Sequence, residues 1–333
     1  MARLVAGSGS SIGFINYPYL DFGDLFVYSQ QDNQFVGNFG ALGVPAQVAT
    51  FSGSGFSYPG GQGSLPSSGT ITGISESFSG QKIYDLTEIS ISVEQFLAWA
   101  AAGPGGGLQF EGDAALFSGG DYIEGSNARD ILFAYEGDDT IRPGGGNDDV
   151  DGGGGLDTLQ VSGALTQYTV QYTGDRFLLD GPEGSDQLFN VERIQFNDNE
   201  MIGLDVNGTG GYTYRLYQAA FDRAPDDAGL GFWIDKLDEG MDLIEVSARF
   251  IDSNEFRSLY GTNPSTQEFV TKVYNNVLNR APDQAGLDFY VNQIDSGQKS
   301  AAKVLADFSD SPENQANVNG QIANGFGYDL WVG

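Results

Sequence analysis

The segment PGGGNDDVDGGGGLDTLQ, residues 143–160, decides how the middle of this chain is understood, because it is either an acidic linker or a structured repeat. It holds seven glycines and four aspartates, and its aliphatic residues Val150 and Leu159 are nine positions apart. Written in blocks of nine, the chain keeps one order of residues from position 116 onward: LFSGGDYIE, GSNARDILF, AYEGDDTIR, PGGGNDDVD and GGGGLDTLQ.

Three columns of these blocks are nearly uniform, and such a fixed period indicates a repeat rather than a linker. The sixth position is aspartate in every block: Asp121, Asp130, Asp139, Asp148 and Asp157. The eighth position is aliphatic in every block: Ile123, Leu132, Ile141, Val150 and Leu159. The fourth position is glycine with one exception: Gly119, Ala128, Gly137, Gly146 and Gly155.

The first six positions of each block suit a tight turn, because glycine reaches positive φ without steric cost and lets carbonyl oxygens crowd together. The last three positions suit a short strand whose middle side chain points inward. Carbonyl and carboxylate oxygens favour Ca²⁺ over Mg²⁺ or a transition metal, since calcium accepts six to eight oxygens in forgiving geometry. Two blocks complete one coil, so loops eighteen residues apart stack and a cation fits between them.

We therefore expect three calcium sites between stacked loops, at Asp121 with Asp139, Asp139 with Asp157, and Asp130 with Asp148. The aliphatic ladder is thin, so metal binding must supply much of the folding free energy. The candidate metal-site residues are Gly119, Asp121, Gly125, Asn127, Asp130, Gly137, Asp139, Gly144, Gly146, Asp148, Gly153, Gly155 and Asp157.

The pattern Gly-Gly-x-Gly-x-Asp-x-aliphatic-x resembles that of the RTX (repeats-in-toxin) calcium-binding β-roll. Residues 152–160 fit it in full, whereas Leu116-Phe117, Ser126, Ala128 and Ala134-Tyr135 depart from it. The resemblance implies a secreted, extracellular protein that leaves the cell through a type I secretion apparatus, using an uncleaved C-terminal signal. It also implies that the roll stays unfolded in the calcium-poor cytosol and folds outside, where calcium is near millimolar.

The composition agrees with a cation-binding role and excludes several others. The chain has 45 acidic and 15 basic residues, a net charge of −30, so nucleic acid is not an expected partner. It has no cysteine and no histidine, which excludes Ser-His and Cys-His catalysis and histidine-ligated zinc. The N-terminus lacks the features of a cleavable signal, and no apolar stretch is long enough for a membrane span.

Residues 1–110 are rich in Gly, Ser and aromatics and predict a mainly β region with one helix over about 93–102, capped by Ser92 and Gln95 and ended by Gly103–Pro104. Residues 111–160 form the predicted roll, and residues 161–206 predict strands that cap it. The N-terminal aromatics are interpreted as a β core, with a lectin-like face as the alternative: Phe14, Tyr17, Tyr19, Phe22, Phe26 and Tyr28.

Residues 212–318 predict a helical domain with two internal repeats, because residues 217–240 match residues 274–297 position for position. This unit resembles a domain of unknown function in secreted RTX and S-layer-associated bacterial proteins. Its Arg-Ala-Pro-Asp turns are interpreted as helix starts with the proline opening the helix, each arginine pairing with the aspartate three residues later, rather than as ligand loops. The equivalent Trp233 and Tyr290 are interpreted as core residues rather than a sugar platform. The tail, residues 319–333, is a candidate secretion signal.

The expected fold is multidomain, β plus α: an N-terminal mainly-β region, a short parallel β-roll with its β cap, and a C-terminal all-helical duplicated domain. Two functions are compatible with it. One is a calcium-binding, cell-surface-associated adhesin-like or structural factor, whose partner is an envelope component, a glycan or another extracellular protein. The other is an extracellular polysaccharide-acting enzyme, a lyase, epimerase or glycosidase, although no motif marks a catalytic residue.

Overall fold

The structure is a computed structural model, and it describes residues 1–7, 25–39, 47–101 and 114–333. The chain divides into two compact units, Met1–Asn197 and Asp198–Gly333. This division differs from the boundary expected at residue 206, because the last strand of the expected cap belongs to the second unit. In the part of the chain that is described, no helix combines the length and apolar character that crossing a bilayer requires.

The N-terminal region is an antiparallel meander, as its turn-punctuated apolar runs predict, but its strands β4, β5 and β6 are 11 to 12 residues long rather than short. Its bulges, as at Ser52/Gly53, bend the longer strands. Helix α1, Val93–Ala101, packs on this sheet through Phe96, whose ring meets that of Phe51 at 5.2 Å, and Ser92 caps it by accepting from the Gln95 amide. The strands are β1 Arg3–Ala6, β2 Leu25–Gln30, β3 Gln34–Phe39, β4 Gln47–Ser57, β5 Ser68–Phe78 and β6 Gln81–Ser92.

Several expectations for this region fall outside the residues that the structure describes. They are the stop at Gly103–Pro104 and the side chains of Phe14, Tyr17, Tyr19, Phe22, Phe26 and Tyr28. Among the described aromatics, Phe35 stacks on Phe51 with ring centroids 4.4 Å apart, and both are buried. The described part of the meander therefore has an aromatic core.

The five blocks of nine alternate between turn and strand, and the strand pairing confirms the predicted coil of eighteen residues. Each strand has only three residues: β7 Tyr122–Glu124, β8 Ile131–Phe133, β9 Thr140–Arg142, β10 Asp149–Asp151 and β11 Thr158–Gln160. β7, β9 and β11 pair in parallel on one side of the coil, and β8 and β10 pair in parallel on the other. The middle residue of every strand is buried, as the aliphatic column predicts.

Both sheets of the roll continue beyond the five blocks. β1 pairs in parallel with β7 and antiparallel with β6, so it joins the roll to the meander. At the other end, β14 Gly184–Phe189 pairs in parallel with β10, and β15 Arg193–Gln195 pairs in parallel with β11. β12 Thr169–Tyr172 and β13 Phe177–Gly181 form an antiparallel hairpin whose second strand lies against β14. Residues 169–195 thus extend the roll as well as cap it.

The second unit is helical, with a short antiparallel pair formed by β16 Glu200–Gly203 and β17 Phe326–Asp329. The predicted helical domain, residues 212–318, is confirmed, and the strand β17 lies in the tail, where Phe326 and Tyr328 are buried. The helices are α2 Thr209–Phe221, α3 Asp227–Asp238, α4 Leu243–Ile251, α5 Asn254–Tyr260, α6 Thr266–Leu278, α7 Gln284–Asp295, α8 Ala301–Ser309 and α9 Pro312–Ile322.

The duplication in the sequence is a duplication of contacts. Trp233 packs on Phe250 with ring centroids 5.3 Å apart, and its counterpart Tyr290 packs on Phe308 at 4.7 Å. Both residues pack against the single apolar core of the helical unit, as predicted. The two copies of the repeat therefore share one core.

The Arg-Ala-Pro-Asp turns differ in detail from the sequence interpretation. Asp226 and Asp283 are N-caps that accept from amides three residues later, at 2.9 and 2.8 Å, so each proline lies one residue before its cap. Arg280 does not make its short contacts with the nearby aspartate but with Glu313 of α9, at 2.6 and 2.9 Å. The Asp283 carboxylate already accepts from the Gly286 amide, whereas the Glu313 carboxylate offers both oxygens for a bidentate arginine contact.

Candidate metal centre

The aspartates of the sixth column form two stacks inside the roll, linked through one carboxylate oxygen each. The Asp121 amide donates to Oδ1 of Asp139 at 2.6 Å, and the Asp139 amide donates to Oδ1 of Asp157 at 2.9 Å. In the second stack, the Asp130 amide donates to Oδ1 of Asp148 at 2.8 Å. The sequence pairing of loops eighteen residues apart therefore brings the candidate ligands together in the predicted order.

The second oxygen of most of these carboxylates is buried and has no hydrogen-bond partner. This is the case for Oδ2 of Asp121, Asp139, Asp148 and Asp157, whose residues are at most 3% exposed. A buried polar atom without a partner costs free energy, and a buried carboxylate costs most. Four such atoms in one small roll are what a cation site requires.

Asp130 is different, because its Oδ2 accepts from the amide and the hydroxyl of Ser126, at 2.6 and 3.0 Å. Ser126 stands at the second position of its block, where the RTX pattern has glycine. The loop of Asp130 is thus partly satisfied by its own chain, so the Asp130 and Asp148 pair offers a cation fewer open carboxylate oxygens than the other two pairs.

The electrostatics of the stacks oppose the charged carboxylate in the absence of a cation. Burial, reinforced by neighbouring carboxylates, raises the pKa of Asp139, Asp148 and Asp157 to about 7. Burial also raises the pKa of Asp121, although its hydrogen bond from the Ala2 amide works against the shift. A divalent cation would reverse this balance, since an adjacent positive charge favours the ionised form.

The glycines bring the loops close enough for their carbonyl oxygens to converge. Gly137 and Gly155, both at positive φ, pack so closely on the preceding loop that a Cβ at either would overlap a carbonyl oxygen, that of Gly119 or Gly137. Gly144 and Gly153 lie equally close to the carbonyls of the second-position residues one coil earlier. Tyr135 adopts the same left-handed backbone, at φ 73°, without being glycine.

Three predicted site residues lie at the margin of this arrangement. Asn127 is exposed, and its Oδ1 lies beside Gly145 rather than in the carboxylate stack. Gly119 has an open side where the first block begins, because no loop precedes it in the described roll. Gly125 is required for packing, since a Cβ there would overlap the carbonyl oxygen of Pro143.

The donor set fits calcium. Among residues 1–7, 25–39, 47–101 and 114–333, no group of three or more acidic side chains is arranged to hold a metal ion. The oxygens available in the roll are the paired carboxylates of stacked loops together with crowded backbone carbonyls. Such a mixed set of hard oxygens suits Ca²⁺, which accepts carbonyl ligands in irregular geometry.

Two members of the stacks were missed in the sequence because they follow a 20-residue interruption, residues 161–180. The Asp148 amide donates to Oδ1 of Asp186 at 2.9 Å, and the Asp157 amide donates to Oε2 of Glu192 at 2.9 Å. The segment Gly184-Ser-Asp-Gln-Leu188 repeats positions four to eight of a block, and this signal could have identified Asp186.

Asp149 and Asp151, which lie outside the sixth column, bond to side chains of neighbouring strands and loops. Asp149 pairs with Arg129 and accepts from Gln187 Nε2 at 2.6 Å, while Asp151 accepts from Asn190 Nδ2 at 2.7 Å. The residues flanking the middle of a three-residue strand point outward in register on neighbouring coils, so their side chains form ladders across the outer face.

Comparison with known proteins identifies two parts of the chain. Residues 117–150 and 124–159 match the family model of the RTX calcium-binding nonapeptide repeat (4 copies). Residues 205–246 and 247–318 match that of a domain of unknown function (DUF4214). Both resemblances seen in the sequence are thereby confirmed, and RTX repeat proteins are typically secreted.

No curated protein matches the chain. Among solved structures, the extracellular lipase LipA from Serratia marcescens is similar, with 28% identity and a TM-score of 0.23. The alignment covers 23% of this chain and 13% of the lipase chain.

Proposed function

We propose that this chain, whose residues 117–159 are RTX calcium-binding repeats, is a secreted factor of adhesin-like or structural role at the cell surface, folded by calcium after export through a type I secretion apparatus. Its partner would be an envelope component, a glycan or another extracellular protein. The observation that supports the calcium-dependent part is the set of buried, unpartnered Oδ2 atoms in the two aspartate stacks.

Asp121, Asp139, Asp148 and Asp157 are the carboxylates that would hold the ions, together with carbonyl oxygens of the glycine turns between stacked loops. Bound calcium would supply the positive charge that the stacks lack. Asp130 would contribute less, since Ser126 already donates two hydrogen bonds to it. On this view the three pairs predicted from the sequence are sites of unequal strength.

Calcium binding and folding are coupled in this proposal. The interior of the roll is a single buried aliphatic residue per strand, so its apolar burial is small. Repulsion among buried carboxylates opposes folding when calcium is scarce, and a ligand that binds only the folded chain adds stability when calcium is abundant. The same chain would then be extended inside the cell and compact outside.

The roll is joined to the N-terminal β region, so we propose that the two act together in binding a partner. β1 has its neighbours in both the roll and the meander, so its place depends on both. Folding of the roll would therefore order an edge of the N-terminal β region, whose surface is the part of the chain that we propose meets the partner.

The calcium-dependent part is tested by circular dichroism and thermal melting of the full chain with calcium and with EGTA. We expect a gain of β structure and a rise in melting temperature with calcium, and an identical spectrum and melt in EGTA would refute it. A glycan-binding screen, run beside a reducing-sugar release assay, tests the adhesin-like role. Sugar release without retained binding would replace that role with the enzymatic alternative.

A further inference from the structure

Residues 181–189, GPEGSDQLF, lie outside the repeats that the family model matches, yet they occupy the place of the next block of nine in the roll. We propose that they are a sixth nonapeptide and that their Asp186, with the loop of Asp148, forms a further calcium site. The proposal rests on the calcium function proposed above and extends it beyond the three predicted sites.

The backbone of this segment makes the same hydrogen bonds as a regular block. The Gly146 amide donates to the Glu183 carbonyl at 2.8 Å, as the Gly137 amide donates to the Gly154 carbonyl at 2.7 Å. The Gln187 amide donates to the Asp148 carbonyl at 2.8 Å, and the equivalent bond one sheet away, from Thr158 to Asp139, has the same length. The interruption before the segment thus leaves its register on the roll intact.

The glycine column is continued as well. Gly184 has φ 143°, close to the 142° of Gly146 on which it stacks, and a Cβ at Gly184 would overlap the Gly146 carbonyl oxygen. The aliphatic column continues with Leu188, which is buried and pairs with Val150. The segment departs at its second position, where Pro182 fixes a negative φ in place of the positive φ of Gly144 and Gly153.

The acidic column supplies the ligands. The carboxylate of Asp186 is turned to the preceding loop, since its Oδ1 accepts from the Asp148 amide at 2.9 Å, the distance found between Asp139 and Asp157. Asp186 is 3% exposed, and Asp148 is fully buried with Oδ2 unpartnered. The loop pair therefore brings together two buried carboxylates, and that of Asp148 has an oxygen without a hydrogen-bond partner.

No arginine of this face neutralises the pair among the contacts in the described residues. Arg129 pairs with Asp149, and Arg176 bonds to Asp175 and to Gln187 on the outer surface. A divalent cation between the loops is the counter-charge that the arrangement accommodates, as in the pairs within the first five blocks.

The test counts calcium ions in the full chain by isothermal titration and by native mass spectrometry. Asp186→Asn keeps an oxygen for the Asp148 amide but removes the charge, so we expect one ion fewer than in the unmodified protein. Asp180→Asn is the matched control, since Asp180 is exposed on β13, the strand that pairs with β14. It should leave the number of bound calcium ions unchanged. An unchanged number in D186N overturns this inference, whereas failure of the unmodified chain to bind calcium overturns the proposed function itself.

If D186N does not fold at saturating calcium, calcium-loaded crystals of the unmodified protein decide the question through anomalous scattering. We expect a peak between the loops of Gly146 and Gly184, within ligand distance of Asp186. Peaks at Asp139 and Asp157 with none at Asp186 would show that the sixth block is a backbone cap only.

Discussion

The backbone amide of Asp139 lies 2.9 Å from Oδ1 of Asp157, while Oδ2 of the same carboxylate is buried without a partner. One oxygen thus holds two coils of the roll together, and the other is left for a ligand. This hydrogen bond fixes the orientation of the carboxylate, and its buried oxygen without a partner costs free energy unless a cation balances the charge.

Asp139→Asn should therefore have opposite effects with and without calcium. Asp139 takes part in two stacked pairs, so in calcium we expect at least a tenfold rise in the half-saturating concentration, about 1.4 kcal/mol, and a lower melting temperature. In EGTA at pH 8, removal of a buried charge should raise the melting temperature above that of the unmodified chain. Melting curves in both conditions check this.

Asp151→Asn is the control for Asp139→Asn. Asp151 points to the outer face, where it accepts from Asn190, and its replacement removes the same charge from the same roll. We expect little change in either condition. Equal effects of the two variants would mean that net charge, rather than the stack, controls the calcium response.

The pH dependence of the metal-free protein follows from the raised pKa values of Asp139, Asp148 and Asp157, each about 7 against an ordinary 3.8. Between these values the folded roll holds more protons than the unfolded chain, so its stability is highest at low pH and falls as pH rises to about 7. Melting temperature in EGTA should therefore decrease from pH 5 to pH 8. An increase over this range would contradict the assignment.

The same pKa shifts predict competition between protons and calcium. Below about pH 7 the carboxylates of Asp139, Asp148 and Asp157 are protonated in the metal-free roll, so binding calcium to them must release protons. Calorimetric titration at pH 6.5 in two buffers of different ionisation enthalpy measures that release. We expect several protons per chain at pH 6.5 and fewer at pH 8.5.

Gly155→Ala should destabilise the calcium-loaded roll much more than Gly174→Ala. Both glycines have positive φ, 135° and 105°, so both variants carry the backbone cost of about 1–2 kcal/mol. Only at Gly155 would the new Cβ overlap a carbonyl oxygen, that of Gly137, which adds about 1–3 kcal/mol. Denaturant unfolding in calcium measures the difference, and equal losses would show that the loops are not closely stacked.

Arg215→Met should destabilise the helical unit far more than Arg280→Met. Arg215 is fully buried and donates to Val206, Asn319 and Asp310, so its replacement removes three hydrogen bonds of a buried guanidinium and costs about 2–4 kcal/mol. Arg280 pairs with Glu313 at the surface, where solvent screens the interaction. Helical unfolding at 222 nm checks the ranking, and neither effect should depend on calcium.

The period of nine made the roll, its sheet pairing and its aspartate stacks predictable. Each position of the block has the same structural role in every coil, so the glycine, aspartate and aliphatic columns can be recognised in the sequence. The sixth block was missed because residues 161–180 interrupt the period, and strand pairing across an insertion is a tertiary fact. Glu255, which accepts from Arg223 at 2.6 Å, and Glu313 were missed for a similar reason, since they lie 32 and 33 residues from their arginines.

Sequence rules for helix starts also failed to separate neighbouring positions of the same turn. Asp226 and Asp283 could be first-turn residues or caps, and only the backbone angles of the helix start distinguish these positions. The β17 strand, Phe326–Asp329, has too few residues for a pattern of its own, and its partner β16 is 123 residues earlier by the pairing of Gly203 with Phe326.

The second block departs from the repeat pattern at Ser126, and the contacts of this residue suit a block at the end of the roll. β8 is the last strand of its sheet among those described. Ser126 donates to the Asp130 carboxylate the hydrogen bonds that a further coil would otherwise supply. The carboxylate at this edge of the roll already has hydrogen-bond donors and needs none from a further coil. The departure of Ser126 from the glycine pattern is thus suited to a block at the edge of its sheet.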